Sequence, residues 1–283
     1  MSSKTMSFKA KINNYAKANE IPAQVVLQNV MFERFLERLS KSEFRDNFII
    51  KGGALISVLV GLDTRSTMDL DITLRKLPLI EEQIDKAIRK ITEFKLDDGV
   101  RFKINSIAPI RKDDLYGGYR VKMDAVFEDI ITPLSIDVST GDVITPAAVE
   151  YEISGIMDDI NISLWGYNLE TVLAEKIETI LSRGVTNTRP RDFYDVYILS
   201  SEKEYELAVF REALKATSEH RGSNDKIKDI ESIIESIENS DVLHNQWEKY
   251  RKKFKYAEKI TFEDTVLAVR NIVKCRSETR HVE

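Results

Sequence analysis

Lys51-Gly52-Gly53-Ala54-Leu55, followed downstream by Arg65-Ser66-Thr67-Met68-Asp69-Leu70-Asp71-Ile72, is the stretch that decides the fold. The glycine pair predicts a turn with free backbone N–H groups between the apolar run Phe48-Ile49-Ile50 and a short helix over Ala54 to Val60. Asp69 to Leu74 then predicts a strand. Leu70, Ile72 and Leu74 alternate with Asp69, Asp71 and Thr73, so one face is apolar and the other carries two carboxylates. Aspartate is a poor strand former, which makes two on one strand a feature in need of a cause. Either they are solvated surface acids, or they hold a hard cation such as Mg²⁺ with a nucleoside triphosphate against the glycine turn.

Outward from this motif, the N-terminal residues 7–40 carry helical spacing, broken at Ile21-Pro22, with Val25, Val26, Val30, Phe32, Phe35 and Leu36 as a packing face. Ile80 to Phe94 predicts a further helix. From Val100 to about Trp165 the period shortens to two. Strand-like runs (101–104, 119–123, 134–138) are separated by Asp113-Asp114, Gly117-Gly118 and Thr140-Gly141-Asp142. These are expected to be antiparallel-type strands of the same sheet. Beyond Tyr167 the pattern is helical nearly to the end, over 169–183, 191–200, 204–219, 226–239, 243–256 and 262–275. The expected fold is therefore α+β. Residues 1–166 form a mixed-sheet domain that includes the N-terminal helices, and 167–283 form a helical domain.

Composition narrows the chemistry. The chain has 283 residues, 42 basic against 47 acidic, and a net charge of −5, so nucleic acid would have to bind at a local patch. One cysteine, Cys275, and three scattered histidines (His220, His244, His281) argue against a disulfide framework, a thiolate zinc site and a histidine triad. The first residues lack an apolar signal core and no stretch reaches membrane-spanning length, so a cytoplasmic protein is expected.

Other residues join the candidate site by their placement. Asp137 interrupts the apolar Ile136/Val138 strand, either as a third metal carboxylate or base, or as a strand-end acid. Lys176 falls on the apolar stripe of helix 169–183. An inward ammonium is costly unless it meets an anion, the alternative being that its stem packs and its head reaches water. In Arg189-Pro190-Arg191-Asp192-Phe193-Tyr194-Asp195, Pro190 starts a helix. Asp192 in its first turn is explained by the helix dipole alone, whereas Asp195 is expected to orient Lys176 or Arg191 or to touch a nucleotide. Trp247 to Lys259 interleaves six basic residues with Tyr250, Phe254 and Tyr256. It is either an exposed basic helix with inward aromatics, neutralised by the acidic helix before it, or a nucleic-acid surface.

In their order, Lys51-Gly52-Gly53-Ala54-Leu55, Arg65 to Asp71, Ile136-Asp137-Val138, Leu173-Ala174-Glu175-Lys176-Ile177 and Arg191-Asp192-Phe193-Tyr194-Asp195 resemble the AbiEii/AbiGii toxin family, which includes the MenT toxins. The resemblance covers about 40–200. The sequence departs from it at Ala54, where a threonine often follows the glycine pair. It implies a nucleotidyltransferase fold like that of DNA polymerase beta, followed by a helical bundle. It also implies transfer of a nucleoside monophosphate from an NTP to an RNA acceptor, tRNA for the MenT relatives, in a toxin–antitoxin setting linked to phage defence, with a separately encoded antitoxin. By position it implies Thr67 and Asp69 as the hydroxyl and first acid of the active site, Asp71 as the second metal carboxylate, Lys176 as the essential lysine and Asp195 or Asp192 as the late acid. Joined to the residue readings above, the candidate set is Asp69, Asp71, Lys176, Asp195 and Asp137 for catalysis, Asp69, Asp71 and Asp137 for Mg²⁺, and Gly52, Gly53, Thr67, Lys176 and Asp192 for the nucleotide. A non-catalytic module on the same fold that senses nucleotide or binds a partner protein, and a small-molecule nucleotidyltransferase, are the alternatives.

Overall fold

Strand β1 (Phe48–Lys51) is buried over its three apolar residues and holds the middle of the first unit together. It pairs antiparallel with β2 (Leu70–Leu74) on one side and parallel with β7 (Asn161–Gly166) on the other. The computed structural model describes residues 2–110 and 117–274. The Asp113-Asp114 turn, Cys275 and His281 lie outside these. Among the described residues the sheet has seven strands in the order β3-β4-β5-β2-β1-β7-β6, where β3 is Val100–Pro109, β4 Tyr119–Phe127, β5 Ile130–Thr140 and β6 Val149–Ser154. The antiparallel expectation for 100–165 holds for the β3–β4, β4–β5 and β6–β7 pairs. On its other edge, however, β5 runs parallel to β2. Strand β6 carried no clear alternation, because four of its six residues are exposed.

Helices α1 (Ser3–Ala18) and α2 (Ala23–Ser40) meet through Ile12, Ala16, Ile21, Val25, Val26 and Val30. Pro22 stands one place before the helix that it was expected to begin, as its N-terminal cap. Helix α2 then crosses β5 and β7, so its apolar stripe and the buried residues of those strands share one core. Helix α3 (Gly52–Val60) starts at the glycine pair itself, and α4 (Glu81–Glu93) packs on β3 and α2.

The chain divides after Tyr167, except that Val143–Ala147 belongs with the second unit. That unit is helical: α5 (Leu169–Arg183), α6 (Pro190–Glu202), α7 (Leu207–His220), α8 (Ile230–Glu238), α9 (Asp241–Lys253) and α10 (Phe262–Lys274). Asn168 caps α5 by accepting from Thr171 N at 2.8 Å, and its amide donates to the carbonyls of Thr145 and Ala147. Asn168 and Thr171, whose Oγ1 accepts from Thr145 N and donates to Thr145 O, tie the detached segment 143–147 to the start of the bundle.

One core helix carries a misplaced charge. Glu33 of α2 is 8% exposed, and Ile156 N donates to both its oxygens at 3.0 and 3.1 Å. Burial raises its carboxyl to about 8, against the pull of the Ile156 N–H and of Arg34. Because the folded form holds this proton more tightly than the unfolded chain does, the stabilisation is complete below the ordinary glutamate range. It is lost as pH rises toward about 8, by an amount on the order of several kcal/mol. The melting temperature of the wild type should therefore fall as pH goes from 5 to 9, and Glu33→Gln should flatten that fall. Parallel melting profiles for the two proteins would contradict a buried protonated Glu33.

Candidate active site

The two glycines are required by contacts that only glycine permits. Gly52 has φ +61°, in the left-handed region. A Cβ there would overlap the Asp71 carboxylate and stand 2.9 Å from its Cγ. A Cβ on Gly53 would lie 2.9 Å from Thr67 Oγ1 and 3.1 Å from an Arg65 guanidinium nitrogen. The start of α3 therefore lies with bare backbone against the carboxylate strand. The sequence reading gave a turn followed by a helix; in the structure the turn and the first helical residues are the same glycines.

Strand register assembles the acids. Asp71 is the direct partner of Lys51 on β1 and of Asp137 on β5, so all three side chains leave one face of the sheet. Asp69 lies just ahead of β2 and is exposed. The loop that delivers it is clamped from α2. Gln28 Nε2 donates to Met68 O at 2.7 Å, and Asn29 Nδ2 donates to Thr67 O at 2.8 Å. Thr67, expected to offer its hydroxyl to a nucleotide, is 3% exposed. Its Oγ1 instead donates to Asp69 O (3.3 Å) and accepts from Asp69 N (3.4 Å). Arg65 is 1% exposed beneath the same loop and donates to Ser66 O at 2.7 Å.

Asp137 has a partner that the sequence did not announce. Arg120 of β4 grips it with two parallel bonds, Nε to Oδ1 at 2.7 Å and Nη2 to Oδ2 at 2.6 Å. Those bonds and the Asp137 charge raise the Arg120 pKa, and the charges of Asp69 and Asp71 add to the effect. All three acids are thus close enough for one guanidinium to sense. Among the described residues no group of three or more acidic, histidine or cysteine side chains is arranged to hold a metal ion. Asp69 and Asp71 are the two carboxylates that the acid strand and the loop before it bring to this face. Hard oxygens in that number, completed by substrate phosphates and water, suit Mg²⁺.

Lys51 and Asp142 close the far end of the polar face. Lys51 Nζ donates to Asp142 at 2.5 Å and to Ser139 at 2.7 Å, and Thr73 Oγ1 donates to the same Asp142 oxygen at 2.5 Å. Burial opposes ionisation of Asp142. The Lys51 charge and hydrogen bond, with the hydroxyls of Thr73 and Tyr167, outweigh it and hold the carboxyl at about 2. Asp142 is therefore structural, as its turn context suggested, and Lys51 is committed to it.

In the second unit, Lys176, Asp192 and Asp195 form their own cluster. Lys176 Nζ lies 2.7 Å from Asp192 and 2.9 Å from Asp195, whose side chains are 2% and 0% exposed. Arg189 approaches the other Asp192 oxygen at 3.1 Å. The inward lysine thus meets two carboxylates on α6. Asp192 does more than complement the helix dipole, since its carboxylate is a buried counter-ion. Gln28, Asn29 and Arg120 are the residues of the site that sequence reasoning missed. Two amides within an otherwise apolar helix face were the signal for the first pair. Arg120 alternates with apolar neighbours like any strand residue, so only register places it.

Among the described residues, a seven-stranded mixed sheet presents acids opposite a glycine-started helix. The chain matches a crystal structure of a candidate nucleotidyltransferase from H. pylori with a TM-score of 0.51 at 16% identity, covering 93% of this chain and all of that one. A second H. pylori structure, JHP933, aligns with a TM-score of 0.48 at 16% identity over 90% of this chain and 94% of that chain. A comparison with curated proteins gives no match. The family model described as nucleotidyl transferase AbiEii toxin, type IV TA system, matches residues 34–268. The chain belongs to that family: it is a nucleotidyltransferase toxin of a toxin–antitoxin system. No helix among the described residues is long and apolar enough to cross a membrane.

Gly52→Ala tests the close approach directly. It combines a strained φ with overlap on Asp71, so it should cost about 1–3 kcal/mol of stability and abolish transfer activity, read by thermal melting and turnover. An alanine variant with wild-type melting and turnover would show that the backbone does not need to reach Asp71.

Proposed function

We propose that this toxin moves a nucleoside monophosphate from an NTP onto an RNA acceptor, with tRNA the candidate, using Mg²⁺ held by Asp69 and Asp71. The observation that carries this reading is the bare backbone of Gly52 packed against the Asp71 carboxylate. It puts helix-start N–H groups, which attract phosphate, beside carboxylates, which repel it. A phosphate chain accommodates both only with a cation between it and the acids. When bound, Mg²⁺ would supply charge neutralisation of the phosphates.

The chain's own residues do the rest. Gly52 and Gly53 orient the triphosphate through main-chain donors. An acceptor hydroxyl oxygen attacks the α-phosphorus, the new P–O bond forms, and the α–β bridging P–O bond breaks to release pyrophosphate. The hydroxyl proton must leave to a base. Asp137 serves once Arg120 transfers its fork from that carboxylate to non-bridging phosphate oxygens, an exchange that keeps the guanidinium doubly bonded throughout. Within the second unit, Lys176 with Asp192 and Asp195 is the charged cluster that the resemblance marks as functional. The family implies a cognate antitoxin protein as the partner that restrains the activity.

Incubation with each α-labelled NTP, Mg²⁺ and total RNA tests the reading. Label should enter RNA with the wild type and be lost with Asp69→Asn, which keeps size and removes charge. Tight NTP binding with no labelled RNA would sink it in favour of a sensing module, and label on a small molecule alone would point to a different acceptor. Arg120 is 46% exposed, so its removal should leave the fold intact. Arg120→Gln should weaken NTP binding by roughly ten- to a hundredfold, measured with a fluorescent nucleotide, the loss of a charge-assisted pair worth about 1.5–3 kcal/mol. Unchanged nucleotide affinity would leave Arg120 as a mere surface partner of Asp137.

A further inference from the structure

The stretch Trp247–Lys259 carries six basic residues and two acidic ones in a chain whose net charge is negative. Two dispositions would make it inert: aromatics wholly turned into the bundle, and neutralisation by the acidic helix α8. The structure satisfies the first only in part, and the second is weakened because two acids of α8 pair with α10 instead. Trp247 and Tyr250 are buried, and Trp247 Nε1 donates to Ile260 O at 3.0 Å. Phe254 and Tyr256 are half-buried at the end of α9, with rings 5.3 Å apart and 22° from parallel. Two acids of α8 are directed elsewhere: Glu231 and Glu238 bind Arg270 of α10 at 2.9 and 2.6 Å. Within the basic stretch, Arg251 is taken by Glu248 at 2.8 Å. Lys252, Lys253 and Lys255 are exposed beside the stacked pair.

Two cations already lie at the Phe254 ring, Arg191 at 5.7 Å and Lys253 at 5.3 Å from its centroid. Arg191 is the neighbour of Asp192, the buried counter-ion of Lys176. The patch therefore adjoins the charged cluster of its own unit through a single residue of α6.

We infer that Phe254 and Tyr256, with Arg191, Lys252, Lys253 and Lys255, form a docking surface for a single-stranded segment of the acceptor RNA. A base extends the existing stack, and the phosphates on either side meet the lysines. An acidic polypeptide would satisfy the lysines but has no flat ring for the stack. This inference rests on the RNA-acceptor reading above and adds the place where the RNA is gripped.

The test uses the full chain and a fluorescein-labelled oligouridylate of roughly 12 nucleotides, within the span that one aromatic-lined site covers, read by anisotropy across a salt series. Replacing Lys252, Lys253 and Lys255 together by Gln should weaken binding at least tenfold and reduce the log–log salt slope by about 2, since each single-strand phosphate contact contributes about 0.7. Phe254→Leu, which keeps apolar volume, should weaken binding roughly fivefold or more with the salt slope unchanged. Should the triple variant melt below the wild type, Lys252→Glu with Lys255→Glu at exposed positions gives the same reading. Wild-type affinity in variants of unaltered melting overturns the surface, as does a loss confined to a polyglutamate probe. RNA labelling that is undiminished in these variants at low RNA concentration overturns the surface and leaves the acceptor reading standing. RNA bound at the patch with no label ever transferred to it upholds the surface and removes the acceptor reading.

Discussion

The absence of one carbon atom holds this site together. With no Cβ and a left-handed φ, Gly52 lets the start of α3 settle onto the Asp71 carboxylate. Any other residue would force the helix and the acid strand apart. Around that contact the remaining pieces have little freedom. Register places Asp137 beside Asp71, and the α2 amides Gln28 and Asn29 fix the loop that carries Asp69. Core packing thus transmits position from a helix on the apolar side to a carboxylate on the polar side.

Concentrating acids on one sheet face creates repulsion that the protein offsets with paired cations. Lys51 is committed to Asp142, whose very low pKa keeps that pair intact at any physiological pH. Arg120 holds Asp137 from an exposed position. The two pairs differ in consequence. The Lys51 pair is partly buried and reinforced by Thr73 and Ser139, so it is scaffold. The Arg120 fork is solvent-facing and planar, suited to exchange one anion for another of the same geometry.

The fold class could be read from the sequence because its signals were local: glycines where a helix meets a strand, period-two alternation, helical stripes after Tyr167. The parallel β2–β5 pairing was not readable, since it depends on which strands become neighbours rather than on either strand's own pattern. Among candidate site residues, Asp69, Asp71, Gly52 and Gly53 stood out by residue type against context. Thr67 also stood out, but its hydroxyl serves its own loop, a distinction that burial alone reveals. Arg120 gave no local cue at all. Lys176 stood on the apolar stripe with its direction open; its counter-ions Asp192 and Asp195 lie on a different helix, so only packing joins them.

The face proposed to receive cation and triphosphate is the one where Gly52 meets Asp71. A crystal structure of the full chain with Mg²⁺ and a non-hydrolysable NTP tests this most directly. The expected result is metal density on Asp69 and Asp71, phosphate against the N–H groups of Gly52 and Gly53, and Arg120 turned from Asp137 toward phosphate oxygen. Nucleotide bound away from that face, or Arg120 still clasping Asp137 with the acids bare, would contradict it.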